Sequence, residues 1–148
     1  MAVTAGMYGL GCRGNVTGLI DLDSDSFKAM LTTSGYVIDA TAIDTHQFRS
    51  SVSNEVTGTG YTSGGVALTT VTCVYDAATN EVRWDFDDPS WVTATFTARN
   101  MIIYKNRGGA AAADDLVMWV NFGGDEAVTA GTFTYVVPTT GALAYTVL

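Results

Sequence analysis

The 148 residues of this chain suit one domain with a substantial buried core. Charged residues make up only 15% of the chain, so Thr, Ser, Ala and Gly must cover much of its surface. The net charge is −8 with only two lysines, which argues against binding nucleic acid or an anionic membrane, because both attract clustered Lys and Arg.

Residue usage favours strands over helices. The chain has 22 Thr, 16 Val and 5 Ile against 8 Leu, and β-branched side chains fit a pleated strand better than a helix. Cys12 and Cys73 are the only cysteines, which predicts free thiols in a reducing cytoplasm. The N-terminus lacks the pattern of a signal peptide, and no apolar run reaches the roughly 18 residues that span a bilayer.

The N-terminal segment is rich in Gly and weakly patterned, so we predict a flexible arm over residues 1–15 and a single β-sandwich domain over residues 16–148. Strands are expected over residues 16–23 and 27–33, joined by a turn of Asp and Ser. In the second strand, Phe27, Ala29 and Leu31 should share one face.

Residues 34–65 form the longest irregular stretch. A short helix is predicted over Asp44–Val52, with Asp44 as its N-cap. In the segment Gly58–Gly65, four glycines frame Tyr61, which lets the backbone adopt positive φ or approach another chain closely.

The clearest hairpin joins Val66–Tyr75 to Glu81–Phe86, whose apolar and polar residues alternate strictly. The Asn106–Asp115 segment is expected to be a loop or a very short helix. Leu116–Phe122 is apolar on both faces and is therefore predicted to be central. Such short strands predict an all-β, jelly-roll-like antiparallel β-sandwich of about eight strands. The remaining strands are expected over residues 91–97, 100–105, 132–137 and 143–147.

Acidic clusters give weak signals of chemistry. Asp21–Asp25 begins like a calcium loop, but Ser26 stands where that loop needs Gly, and Thr32 where it needs a bidentate Glu. Asp85, Asp87 and Asp88 resemble a glycosidase pair only loosely, because they follow ordinary strand and turn patterns. Both groups are interpreted as solvated turns.

His46 is the single histidine. A triad with Asp44, Ser50 or Cys73 is formally possible, but no nucleophile elbow is present. Gly58–Gly65 lacks the Lys-Ser/Thr pair of a phosphate loop. We therefore predict that the chain is not an enzyme and that it has no catalytic, cofactor-binding or metal-binding residues. Its three tryptophans are expected in the core: Trp84, Trp91 and Trp119.

Four pieces of the sequence, in this order, resemble small virion proteins of tailed bacteriophages. The pieces span about residues 20–137 and are Asp21–Leu31, Asn54–Leu68, Trp91–Lys105, and Val120–Gly123 with Gly131–Thr134. The sequence departs from the pattern before residue 16 and after Val137.

The resemblance implies a capsid decoration (cement) protein with a jelly-roll-like body and no catalytic residues. The partners it implies are the major capsid protein and the chain itself, as a homodimer or homotrimer. The protein would then lie on the capsid surface of the virion after synthesis in the host cytoplasm.

Two other functions remain open. One is a phage tail or host-attachment component whose β-sandwich binds glycan, favoured if Tyr61 and Trp91 are exposed in one groove. The other is a small hydrolase, which needs His46 within hydrogen-bond reach of a nucleophile and a carboxylate.

Overall fold

A computed structural model describes residues 2–147 of the chain. It contains eight strands, formed by stretches rich in β-branched and aromatic residues. Met1 of the predicted arm and Leu148 of the predicted domain lie outside this range. The strands are β1 (Thr4–Met7), β2 (Phe27–Thr32), β3 (Val66–Ala67), β4 (Thr72–Asp76), β5 (Glu81–Asp85), β6 (Ser90–Lys105), β7 (Leu116–Thr134) and β8 (Leu143–Thr146).

These strands form two antiparallel sheets. The larger has the order β1-β7-β6-β2-β3 and the smaller the order β4-β5-β8. The prediction of an all-β, jelly-roll-like antiparallel sandwich of about eight strands is confirmed. The central position predicted for Leu116–Phe122 is confirmed, because this part of β7 lies inside its sheet between β1 and β6 and is largely buried.

The main core lies between the two sheets. On β2, Phe27, Ala29 and Leu31 point into it, as the alternation predicts. From the smaller sheet, Trp84 meets Phe27 edge to face at a ring separation of 5.1 Å. The strict alternation predicted for β5 is confirmed, since Trp84 and Phe86 are both buried.

A second core covers the other face of the larger sheet. It is built on Met30 and Ile102, whose side chains point away from the first core. Short helices and their flanking residues cover it: α1 (Gly9–Val16) is preceded by the buried Tyr8, and α2 (Ala40–Thr45) supplies Ala42. Both faces of the larger sheet are therefore buried around Met30 and Ile102, whereas one face of β6 stays exposed at Val92, Thr95 and Thr97.

The N-terminal residues differ from the predicted arm. Thr4–Met7 pairs with β7, and Gly9–Val16 is helical although it contains three glycines. The contact with β7 explains the helix, because a Cβ on Gly11 would collide with the carbonyl oxygen of Leu116. Tertiary packing here overrides low helix propensity.

Two further predictions about the first 52 residues are wrong. No strand covers residues 16–23, because Gly18 turns the chain with a φ of +76°. Ile20 and Leu22 lie in a loop and bury their side chains in the core. The helix predicted over Asp44–Val52 lies instead at Ala40–Thr45. Its N-cap is Asp39, whose carboxylate accepts from the Ala42 N–H at 2.8 Å. The predicted range contains only the last two residues of α2 and one 3₁₀ turn, Arg49–Ser51.

Strand lengths also differ from the prediction. Val66–Tyr75 is split into β3 and β4 by Thr70, which has a φ of +52°. Conversely, the two strands expected over 91–105 are the single strand β6, and those over 116–137 are β7. The connection between β6 and β7 is the predicted loop, with one 3₁₀ turn at Ala111–Ala113.

Bulges bend the paired strands β6 and β7. Ala98 pairs with Glu126 and Asn100 with Asn121, so that two steps along β6 face five along β7. A further bulge near Ala130 gives that residue a φ of +48°. The bends bring the ring of Phe122 within 5.7 Å of the ring of Phe133, eleven residues later.

Candidate interaction surface

The Asp21–Asp25 run forms a turn closed by its own side chains. Asp21 accepts hydrogen bonds from the Ser24 hydroxyl at 2.7 Å and from the Asp23 N–H at 2.9 Å, and these bonds lower the pKa of Asp21. Asp25 is paired with Lys105 at 2.6 Å. Residues 2–147 contain no group of three or more acidic, His or Cys side chains arranged to hold a metal ion.

His46 lies at the end of a row of tyrosines. Its Nδ1 is 3.0 Å from the Tyr36 hydroxyl, which is 3.1 Å from the hydroxyl of the fully buried Tyr8. Burial raises the pKa of both phenols. In the described part of the chain, His46 is not hydrogen-bonded to Asp44, Ser50 or Cys73.

The three aspartates near residue 87 also bond to their own chain. Asp87 accepts from the hydroxyls of Thr69 and Thr70, and Asp88 accepts from the Val137 N–H at 2.8 Å. Asp85 accepts from the N–H of the next residue. Asp87 and Asp88 thus connect the turn between β5 and β6 to the segments before β4 and after β7.

The glycine-rich segment is held by a residue that the sequence analysis missed. Glu55 accepts hydrogen bonds from the Tyr61 hydroxyl at 2.8 Å, the Ser63 hydroxyl at 3.0 Å and the Gly64 N–H. Gly65 has a φ of +75°, and a Cβ there would collide with the Ala29 carbonyl oxygen. The glycines therefore serve close packing against β2. In the sequence, the acidic residue six positions before Tyr61, Glu55, is the signal that could have predicted this contact.

The aromatic pair named for glycan binding lies in the core. Trp91 is only 2% exposed, and Tyr61 stacks on it at a ring separation of 6.5 Å. Trp84 is fully buried, whereas Trp119 is partly exposed. The predicted core position is confirmed for Trp84 and Trp91, and Tyr61 and Trp91 do not form an exposed aromatic groove.

The molecule has an apolar groove of about 370 Å³ beside the bent part of β7. Its rim carries two exposed aliphatic side chains, Val3 at 55% and Val136 at 71% exposure. The other apolar lining residues are Phe122, Phe133, Tyr135 and Pro138. Exposed apolar surface that is gathered in one place typically marks a contact with another protein.

Two polar residues complete the groove lining, Thr134 and Glu126. Glu126 has no ion-pair partner within the described range, whereas its neighbour Asp125 lies 3.4 Å from Arg99. The groove thus offers apolar walls and one negative charge. No local sequence pattern marks this groove, because its lining combines Val3 near one end of the chain with residues 122–138 near the other.

The larger sheet also has an unpaired edge next to the groove. β1 covers β7 only from Met118 to Asn121. Along Phe122–Thr134, no strand among residues 2–147 lies on the side of β7 that faces away from β6. Unpaired strand edges expose N–H and C=O groups that another chain can bond.

None of the described helices is long and apolar enough to cross a membrane. No model of a known protein family matches the chain, and neither does any curated protein or any solved structure.

Proposed function

We propose that this chain is a structural virion protein that decorates and stabilises a tailed-phage capsid through protein–protein contacts. The observation that carries the proposal is the apolar groove with Val3 and Val136 on its rim. A groove of this kind gains free energy when another protein covers it. The resemblance of residues 20–137 to small virion proteins of tailed phages is the reason for proposing a phage capsid as the partner.

The proposed partners are the major capsid protein and further copies of the chain, as a homodimer or homotrimer. A symmetric oligomer presents the same groove two or three times. Several simultaneous contacts raise the apparent affinity by orders of magnitude without any stronger single contact. This property suits a protein that has to stay on the outside of a capsid.

A glycan-binding tail or host-attachment component is the second candidate. Partly buried Phe133 and Tyr135 line the groove together with Glu126 and Thr134, and sugars bind to such mixtures of aromatic and polar groups. The two candidates differ in what fills the groove, a protein surface or a sugar.

The first test compares two exposed valines. Val136→Asp places a charge on the groove rim, and we expect binding to heads that lack the chain to weaken by about tenfold or more, because a charge would be buried there without a partner. Val92→Asp is the matched control, since Val92 is 65% exposed but does not line the groove. It should bind within about twofold of wild type.

The measurement is co-sedimentation with such heads over a range of protein concentrations, with thermal melts to show that both variants fold. Equal binding by the two variants would contradict a contact at the groove. Failure of the wild-type chain to sediment with heads, together with retention on a glycan array, would favour the tail component. Light scattering tests the oligomer, and a stable species of 15.6 kDa would contradict it.

A further inference from the structure

The unpaired edge of β7 has a defined pattern of free backbone groups. The N–H of Tyr135 donates to the carbonyl of Pro89 at 3.1 Å, and the next pair in the ladder is Ser90 with Thr134. Antiparallel ladders alternate between hydrogen-bonded and non-hydrogen-bonded pairs. The N–H and C=O of Thr134 therefore point away from β6, towards the free side, and the same alternation directs those of Thr132.

The bulge near Ala130 sets the length of this edge. Between the bulge and the end of β7, the extended stretch Gly131–Thr134 has four residues, the same length as the stretch of β7 that β1 already covers. The register shift between Trp91 and Ala94, which face Phe133 and Gly131, places its extra residue on β6, so the alternation of β7 itself continues over these four residues for an added strand to bond. The bulge prevents pairing from running further along β7, since bulges disrupt a ladder locally.

The groove lies beside this edge, because Phe133 and Thr134 belong to both. Resting on the proposed function, we propose that Gly131–Thr134 accepts an extended segment of the major capsid protein as an added strand. Its alternate apolar side chains enter the groove, and a Lys or Arg of the segment faces Glu126. Backbone bonds supply affinity in this mode of recognition, and the groove selects side chains.

A second copy of this chain fits the site poorly as the occupant. Of its seven Lys and Arg residues, five form ion pairs with acids of the chain. The other two are Arg13 in α1 and Lys28 in β2, which has strands on both sides. Neither lies on a free extended segment that could reach Glu126 of a neighbour, so a different protein supplies the basic residue.

The test removes one outward N–H. Thr134→Pro deletes that donor and leaves the ladder to β6 intact, because proline is tolerated where an edge N–H faces solvent. We expect the dissociation constant for heads lacking the chain to rise by about tenfold. Thr134→Ala is the reference for the proline, because both variants lack the threonine hydroxyl and only Thr134→Ala keeps the N–H, so weaker binding by Thr134→Pro than by Thr134→Ala measures the backbone donor.

A second proline variant tests whether binding depends on the edge of β7 or whether any unpaired strand edge has the same effect. The Val147 N–H donates to the Asn80 carbonyl at 2.7 Å and Glu81 pairs with Thr146, so the Thr146 N–H also points outwards, from β8 in the smaller sheet. Thr146→Pro should bind within about twofold of wild type. Hydrogen exchange of the wild-type chain gives an independent readout, in which head binding should slow the Thr132 and Thr134 amides by about tenfold or more.

The outcomes separate the two proposals. Weaker binding by Thr134→Pro than by Thr134→Ala and Thr146→Pro, with slowed exchange at the two amides, supports strand addition. If wild type and all three variants bind heads equally and the amides exchange as in the free chain, strand addition is wrong while capsid decoration stands. If Thr134→Pro does not fold, the exchange measurement decides by itself. Failure of wild type to bind heads overturns both.

Discussion

Trp84 is the residue whose removal should cost the most stability. It is fully buried in β5, and its ring meets Phe27 and Phe86 edge to face, each at 5.1 Å. Its indole N–H donates to the carbonyl of Leu22 at 2.9 Å. One side chain thus links the smaller sheet, the larger sheet and the loop before β2.

The structure sets the size of the effect. Replacing a buried aromatic residue by Ala costs about 3–5 kcal/mol, and the orphaned Leu22 carbonyl puts Trp84→Ala in the upper part of that range. Trp84→Phe keeps most of the ring packing but loses the hydrogen bond, and should cost about 2 kcal/mol. Against the usual total stability of about 5–15 kcal/mol, the alanine variant would lose from about a third to nearly all of its free energy of unfolding.

Urea denaturation of wild type and variants, followed by far-UV circular dichroism, measures these differences. The control is Arg83→Ala, one position away on the opposite face, where the side chain is 23% exposed and pairs with Asp76 and Glu81. Partly exposed ion pairs contribute about 1 kcal/mol or less. Equal costs for Trp84→Ala and Arg83→Ala would refute the assignment of the two faces of β5.

Two further predictions concern the glycine-rich segment and alkaline pH. Gly65→Ala should cost about 3 kcal/mol or more, from positive φ and a collision with the Ala29 carbonyl, whereas Gly18→Ala, with similar φ but open space, should cost about 1 kcal/mol in the same melts. Burial raises the pKa of Tyr104 and Tyr145 to about 12, so the folded state holds these protons more tightly than the unfolded chain. Stability should be undiminished below about pH 10 and fall as the pH rises towards 12, and a flat profile of unfolding free energy across that window would contradict the burial of these phenols.

Local alternation predicted the parts of the fold that depend on local pattern. In β5, every second residue is apolar because one face of the strand packs on the core, so the sequence alone identifies the strand and its inward side chains. The same holds for Phe27, Ala29 and Leu31 in β2. The hairpin of β4 and β5 was visible because the turn residues between them carry little apolar content.

Elements fixed by distant contacts were not predictable in this way. The glycines of α1 suggest a flexible arm when only the local sequence is considered. The contact that requires a glycine at position 11 is with Leu116, which is distant in the sequence. In β6 and β7, the register shift between Ala98 and Asn100 and the bulge near Ala130 fall where the predicted strands break, so each long strand reads as two short ones. The groove has the same origin, since Val3 and Val136 become neighbours only after folding.

The arrangement of the sheets restricts where a partner can bind. One face of the larger sheet packs on the smaller sheet, and around Met30 and Ile102 the other is covered by the segments that contain Tyr8, Tyr36 and Ala42. In the bent part of β6 and β7 the outer face stays open, and Val92 there is 65% exposed. The unpaired edge of β7 differs from that open face, because it adjoins the groove with Val3 and Val136 on its rim and so offers backbone groups and apolar walls in one place. For this reason a single charge at Val136 or a single proline at Thr134 should weaken binding, while equally exposed sites elsewhere tolerate the same changes.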